Sequence, residues 1–141
     1  MNLVIYIDGS RAAEDAVRYA ARWCPPETRV VLLHVVPSGR EAALHNAEKV
    51  LARSSALFRS LAGTQREVTT RLEVGNAVTR ITEVADALDA DAIIMGSHDV
   101  GALPRSQVLG QAAEDTVAAT NRPVVLVFPE GSEVVPAASI H

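Results

Sequence analysis

A doubly wound α/β fold built on a parallel sheet is the architecture this sequence predicts, and three observations carry it. Short apolar, β-branched runs alternate with segments of helical spacing from the N-terminus to residue 128. The second of these runs, residues 30–36, is almost continuously apolar, which marks a strand covered on both faces rather than one half-exposed. Each helical segment is long enough to serve as a right-handed crossover between parallel strands.

The elements follow in order. Residues 3–7 form an apolar strand that ends in Asp8, Gly9 and Ser10, a turn cluster in which Ser10 caps the next helix. Over 11–23 the residues Ala12, Ala13, Ala16, Val17, Ala20 and Trp23 recur at helical spacing, and Pro25 and Pro26 prevent continuation. The strand over 30–36 stops at Pro37. A second helix over 40–62 carries Ala43, Ala47, Val50, Leu51, Leu57, Phe58 and Leu61 on an apolar stripe and ends at Gly63. Alternation of apolar and polar residues over 68–74 suits a strand nearer a sheet edge. Gly75 and Asn76 break the chain, and a helix over 77–88 follows through Ile81, Val84, Ala85 and Leu88. A strand over 92–95, a glycine-punctuated loop, a helix over 110–120 and a last strand over 124–128 complete the pattern. Residues 1–129 are expected to form one domain. Residues 130–141, rich in small side chains, are expected to be a frayed tail or to lie against a partner.

Composition narrows the function classes. A chain of 141 residues suits a single domain that buries roughly two thirds of its unfolded surface. No apolar run approaches a membrane span and no secretory signal is visible, so a cytoplasmic protein without membrane contact is expected. The net charge of -4, without long same-sign runs, lacks the basic footprint that nucleic acid requires. Cys24 is the only cysteine, which excludes an intrachain disulfide, and its place before two prolines suits a helix end. His34, His45, His98 and His141 lie in different elements without helical ligand spacing, so no metal site is expected. No glycine-flanked nucleophilic serine, Ser-His-Asp arrangement or paired carboxylates point to catalysis, and the chain is read as no enzyme.

Ligands of such sheets bind at the carboxyl ends of the strands, where the winding direction reverses. With the first strand beside the fourth, that crevice is lined by Asp8, Gly9 and Ser10 on one side and by Gly96, Ser97 and His98 on the other. A strand, a glycine loop and a helix N-terminus are also the parts of a phosphate site. Unpaired N–H groups and the helix dipole attract an anion, and glycine lets the main chain come close.

Five segments in combination resemble the universal stress protein family: Ile5-Tyr6-Ile7-Asp8-Gly9-Ser10, His34-Val35-Val36, Val74-Gly75-Asn76, Asp91-Ala92-Ile93-Ile94-Met95-Gly96-Ser97-His98, and Arg122-Pro123-Val124-Val125-Leu126-Val127. The resemblance runs over nearly the whole length up to Phe128. It implies a five-stranded parallel sheet in the order 3-2-1-4-5, Rossmann-like and of the adenine nucleotide alpha hydrolase-like type. It also implies a homodimer through the last strand, residues 124–128, and the apolar run Val124, Val125, Leu126 and Val127 agrees, since an unpaired edge of this kind invites another strand.

The family has one group that binds ATP and one that does not, and the binders carry Gly-x-x-Gly, nine residues, then Gly followed by Ser or Thr. Here Gly96 matches the first glycine and Gly110 the last, while Asp99 and Gln111 replace the second glycine and the hydroxyl residue. The interval is one residue longer, and Gly101 stands near the missing glycine. A carboxylate about 4 to 6 Å from a phosphate costs on the order of 1 kcal/mol where screening is incomplete, so Asp99 opposes phosphate unless it turns outward or helps bind a metal. Carried over by the resemblance, a nucleotide site would comprise Asp8, Val36, Met95, Gly96, His98, Gly101, Gly110 and Gln111. In that site Asp8 meets a ribose or adenine edge and Val36 offers backbone contacts to adenine.

Each residue also has a plain structural reading. Asp8 caps a turn through Gly9 and Ser10, Val36 and Met95 are core, and His98 hydrogen-bonds loop backbone. Arg105 and Ser106 approach the phosphates unless Pro104 carries the loop elsewhere. The expected function is that of a homodimeric stress-response protein acting through contacts with protein partners, without tight nucleotide binding and with no cofactor required. The alternative is a regulatory switch in which ATP or another adenine nucleotide is held by the loop between Gly96 and Gly110. A slow ATP hydrolase is the weakest of three readings.

Overall fold

The computed structural model describes residues 1–98 and 109–128. Five strands, β1 (Asn2–Tyr6), β2 (Arg29–Val36), β3 (Glu67–Val74), β4 (Ala92–Gly96) and β5 (Val124–Val127), alternate with four helices, α1 (Arg11–Trp23), α2 (Glu41–Ala62), α3 (Ala77–Ala87) and α4 (Gln111–Ala119). All strand pairs are parallel and the sheet order is β3-β2-β1-β4-β5, as the resemblance implies. The reversal of winding therefore falls between β1 and β4, with β3 and β5 at the edges.

Alternation along the strands divides the core into two layers. Leu3, Ile5, Leu32, Ile94 and Val68 point to the side where Ala16, Val17, Ala20, Leu51 and Phe58 of α1 and α2 cover them. Val4, Tyr6, Leu33, Val35, Ile93 and Met95 point to the other side, against Ile81, Val84 and Ala85 of α3 and Ala113 of α4. Both faces of the central strands are thus closed, which is why residues 30–36 read as continuous rather than alternating. Full burial of each such aliphatic side chain contributes roughly 1.5–3 kcal/mol.

Element ends are set by partners distant in sequence. β1 begins at Asn2 rather than Leu3 because the Asn2 amide donates to the Asp91 carboxylate at 2.7 Å and its side-chain amide to the Leu88 carbonyl at 2.9 Å. Ile7 lies beyond the strand's end, yet its amide still donates to the Leu33 carbonyl at 2.7 Å. Cys24 is the C-cap of α1, its amide donating to the Ala20 carbonyl, and Arg66 donates to both its sulfur and its carbonyl. Gly63 ends α2 with φ 102°, a conformation glycine adopts without strain. The entry to β5 is clamped to α3 by Arg122, which donates to Asp86 at 2.9 Å, Asp89 at 3.0 Å and the Ala90 carbonyl at 2.9 Å. Hydrogen bonds from Arg122 to Asp86 and then Asp89 hold the guanidinium above its ordinary pKa.

Two residues expected on buried stripes lie outside them. Trp23 is 47% exposed and Leu61 43% exposed. The sheet-facing stripe of α1 is filled by Ala12, Ala13, Ala16, Val17, Ala20 and Ala21, so Trp23 falls on its flank, stacked on Tyr19 one turn earlier. Residues 129–141, including the expected tail, lie outside the described residues. No helix among the described residues is long and apolar enough to cross a membrane.

Candidate functional site

The crevice at the carboxyl ends of β1 and β4 is assembled from two short turns. On the β1 side, Gly9 turns the chain with φ +82°, and the Asp8 carboxylate accepts the Ser10 amide at 2.9 Å. Ser10 then accepts the Ala13 amide at 3.1 Å, as the N-cap of α1. Asp8 thus acts in the turn, as its plain structural reading predicts, with Oδ1 the oxygen engaged. His34, near the end of β2, places Nδ1 against the Ile7 carbonyl immediately before Asp8. That contact ties the ends of β1 and β2 together.

On the β4 side, Gly96 sits directly beneath the first turn of α1. A Cβ there would lie 2.6 Å from Ala12 Cβ, 2.7 Å from the Ala12 carbonyl carbon and 2.9 Å from the Ala13 nitrogen. Glycine is therefore required at 96 by helix-on-sheet packing, whatever the crevice holds. Ser97 follows fully buried, its amide donating to the Val127 carbonyl at 2.9 Å, and its hydroxyl is 2.6 Å from His98 Nδ1. His98 is itself buried, at 5% exposure, and meets Phe128 edge-on with ring centroids 5.9 Å apart.

The Gly110 amide donates to the Ser97 carbonyl at 2.7 Å. This bond closes the base of the connection between β4 and α4 and brings Gly110 beside Ser97 and His98. Gly110 is the N-cap of α4 rather than its first helical residue, and it offers no side-chain oxygen to the first-turn amides. The Gln111 side chain is exposed and donates to Asp115 at 2.7 Å, along the helix instead of across its end.

Of the residues proposed from sequence, Asp8, Gly96, His98, Gly110 and Gln111 surround this crevice. Val36 ends β2 with its side chain buried, and its carbonyl accepts the Gly75 amide at 2.9 Å. Met95 is 1% exposed within the layer under α3 and α4, so its side chain is core. Gly101, together with Asp99, Pro104, Arg105 and Ser106, lies outside the described residues. Ser97, expected to line the crevice, is there as a fully buried residue, and His34 joins the site although it was not among the expected nucleotide-site residues. Among the described residues, no group of three or more histidine, cysteine, aspartate or glutamate side chains is placed to hold a metal.

Chemically, the arrangement offers helix N-terminal amides, one acidic turn and a buried Ser–His pair, with most of its polar atoms already engaged among themselves. Among the described residues of the crevice, the Ser97 hydroxyl is fully buried and paired with His98.

Comparison with known proteins agrees with this architecture. A universal stress protein from Archaeoglobus fulgidus is 25% identical and aligns with a TM-score of 0.75 over 90% of this chain and 93% of that one. A structure of the universal stress protein from Archaeoglobus fulgidus in complex with dAMP is 24% identical, with a TM-score of 0.73 over 90% of this chain and 97% of that one. A universal stress protein family protein from Arabidopsis thaliana with AMP bound is 12% identical, with a TM-score of 0.70 over 93% of each chain. No curated protein matches the sequence significantly. The model of the universal stress protein family matches residues 1–127, and the chain belongs to that family.

Proposed function

We propose that this protein is a cytoplasmic, homodimeric stress-response protein that acts through contacts with other proteins and binds adenine nucleotide weakly or not at all. One observation carries the reading: among the described residues, several of the crevice's polar groups are already hydrogen-bonded to one another. Asp8 Oδ1 holds the Ser10 amide, the Ser97 hydroxyl is paired with His98, the Gly110 amide is bound to the Ser97 carbonyl, and Gln111 holds Asp115. A phosphate or ribose that uses these groups must replace internal hydrogen bonds, so little net affinity is gained from them. Asp99 and the longer loop add to that opposition in the sequence.

The dimer is supported by the exposed side of β5. β4 receives β5 through the carbonyls of Pro123 and Val127, which by alternation directs the main-chain groups of Val124 and Leu126 away from the sheet. Such an edge is completed by a second copy related by a two-fold axis.

A second reading, an adenine-nucleotide switch, is favoured by the α4 N-terminus, whose first-turn amides lack a side-chain cap beneath Gly110. Relatives carrying dAMP and AMP make it the natural competitor. In that arrangement Asp8 would reach the ribose with its second oxygen, which makes no hydrogen bond to a described residue. Equilibrium dialysis of nucleotide-free protein against labelled ATP separates the two. The proposal expects no retention at about 100 μM nucleotide, roughly ten times the dissociation constant of about 10 μM that a millimolar cellular pool would saturate a hundredfold over. Stoichiometric retention would establish the switch instead.

A further inference from the structure

The two edges of the sheet differ in length and in surroundings. β3 spans eight residues and is paired with β2 along its full length, whereas β5 spans four. A groove of about 1000 Å³ runs beside β3, lined by Leu51, Ala52 and Ala56 of α2 and by Val68, Thr70 and Leu72 of the strand. By length and by its apolar flank β3 is the better template for an added strand, so whether it is open decides how copies of this chain associate.

The Gly75 amide donates to the Val36 carbonyl on β2, and by alternation the main-chain groups of Val68, Thr70, Leu72 and Val74 point away from the sheet. Two of those outward carbonyls are already engaged by arginine. Arg59 of α2 donates to the Val68 carbonyl at 2.9 Å, and Arg80 of α3 donates through Nε to the Val74 carbonyl at 3.0 Å. Each arm is held from its own helix, Arg59 by the Ser55 hydroxyl at 2.7 Å and Arg80 by the Glu83 carboxylate at 2.8 Å. Gly75 leaves the space that the second arm occupies, since a Cβ there would lie 2.9 Å from Arg80 Nε. Because α2 and α3 cover opposite faces of the sheet, the two arms reach the edge from opposite sides.

We propose that Arg59 and Arg80 close the β3 edge to strand addition, so that a second copy is accepted at β5 and assembly ends at the two-fold pair. The inference rests on the β5 dimer proposed above. Between the two guanidinium groups stand the outward groups of Thr70 and Leu72 and the Val74 amide, too short a run to hold a strand. A longer strand must displace both arginine hydrogen bonds. Pairing of β5 with β5 uses that edge in both copies, so among the described strands none is left to extend the sheet. With β3 open as well, β3 of one dimer would pair with β3 of the next and the dimers would join into an open-ended array.

The test is sedimentation velocity over a hundredfold concentration range on wild type, R59A/R80A and R59A/R80A/T70P, with circular dichroism on each. Removing two hydrogen bonds that an incoming strand must displace should strengthen association through β3 at least about tenfold, so R59A/R80A should form species above the wild-type mass that grow with concentration. Proline at position 70 removes an outward amide and should return the chain to the wild-type mass, which it would not do for aggregation caused by lost stability. If the double variant loses its circular dichroism, R59A and R80A singly carry the test, each expected to grow to a lesser extent. Unchanged mass in a folded R59A/R80A would overturn the proposal, and so would growth that T70P leaves in place. Failure of the β5 dimer is a separate outcome: wild type would then sediment as a monomer, and R59A/R80A would stop at pairs that T70P still dissolves.

Discussion

At Gly96 the sheet and α1 come so close that one added methyl group would meet Ala12 at 2.6 Å. Because two of the atoms it meets are backbone, the strain cannot be relieved by a rotamer change. Gly96→Ala is therefore expected to destabilise the fold by about 1–3 kcal/mol or more, read from denaturant midpoints at constant m. Ser10→Ala removes the cap that accepts the Ala13 amide and should cost about 1 kcal/mol in the same assay. The two differ in character, since the first creates a clash and the second leaves an amide without its partner. In the sequence, Asp99 and Gln111 stand where the resemblance implies a glycine and a hydroxyl residue in nucleotide binders. Exchanging Asp99→Gly and Gln111→Ser together should raise Mg-ATP affinity at least about fivefold in calorimetric titration, the equivalent of removing roughly 1 kcal/mol of repulsion. No gain would place the obstacle in the loop's extra residue.

Among the elements, β5 bears most on the proposed dimer. The Leu126 amide points away from β4, so proline at 126 removes an outward donor and leaves the internal ladder intact. Leu126→Pro is expected to sediment as a monomer with its circular dichroism retained, whereas a dimer of unchanged stability would move the interface away from this edge. Element identities were legible because each depends on local pattern: apolar runs for strands, helical spacing for helices, and Gly63, Asn76 and Ser10 as punctuation. Element ends were less so. Asn2 joins β1 only because Asp91 and Leu88 hold it, and Gly110 becomes a cap only because its amide finds Ser97. Trp23 was read into the buried stripe since periodicity cannot tell the centre of a helix face from its flank. Within the crevice, the Asp8 turn was readable from three adjacent residues. The packing duty of Gly96 was not, because it arises from α1 crossing β4, a contact between distant parts of the chain.

For the molecule as a whole, the fold brings a potential anion site and an open sheet edge into one small domain, and the account assigns function to the edge. The fold is shared with relatives that carry nucleotide, while several polar groups of the crevice, among the described residues, are hydrogen-bonded to one another. A ligand specific to the folded state must raise its stability, and at about 100 times its dissociation constant the gain is roughly 2.7 kcal/mol, worth several degrees in a domain of this size. The most direct test is a thermal-unfolding scan of nucleotide-free, dimeric protein with and without millimolar Mg-ATP. The account predicts coincident transitions. A rise of several degrees would contradict it and make the protein a nucleotide-regulated switch.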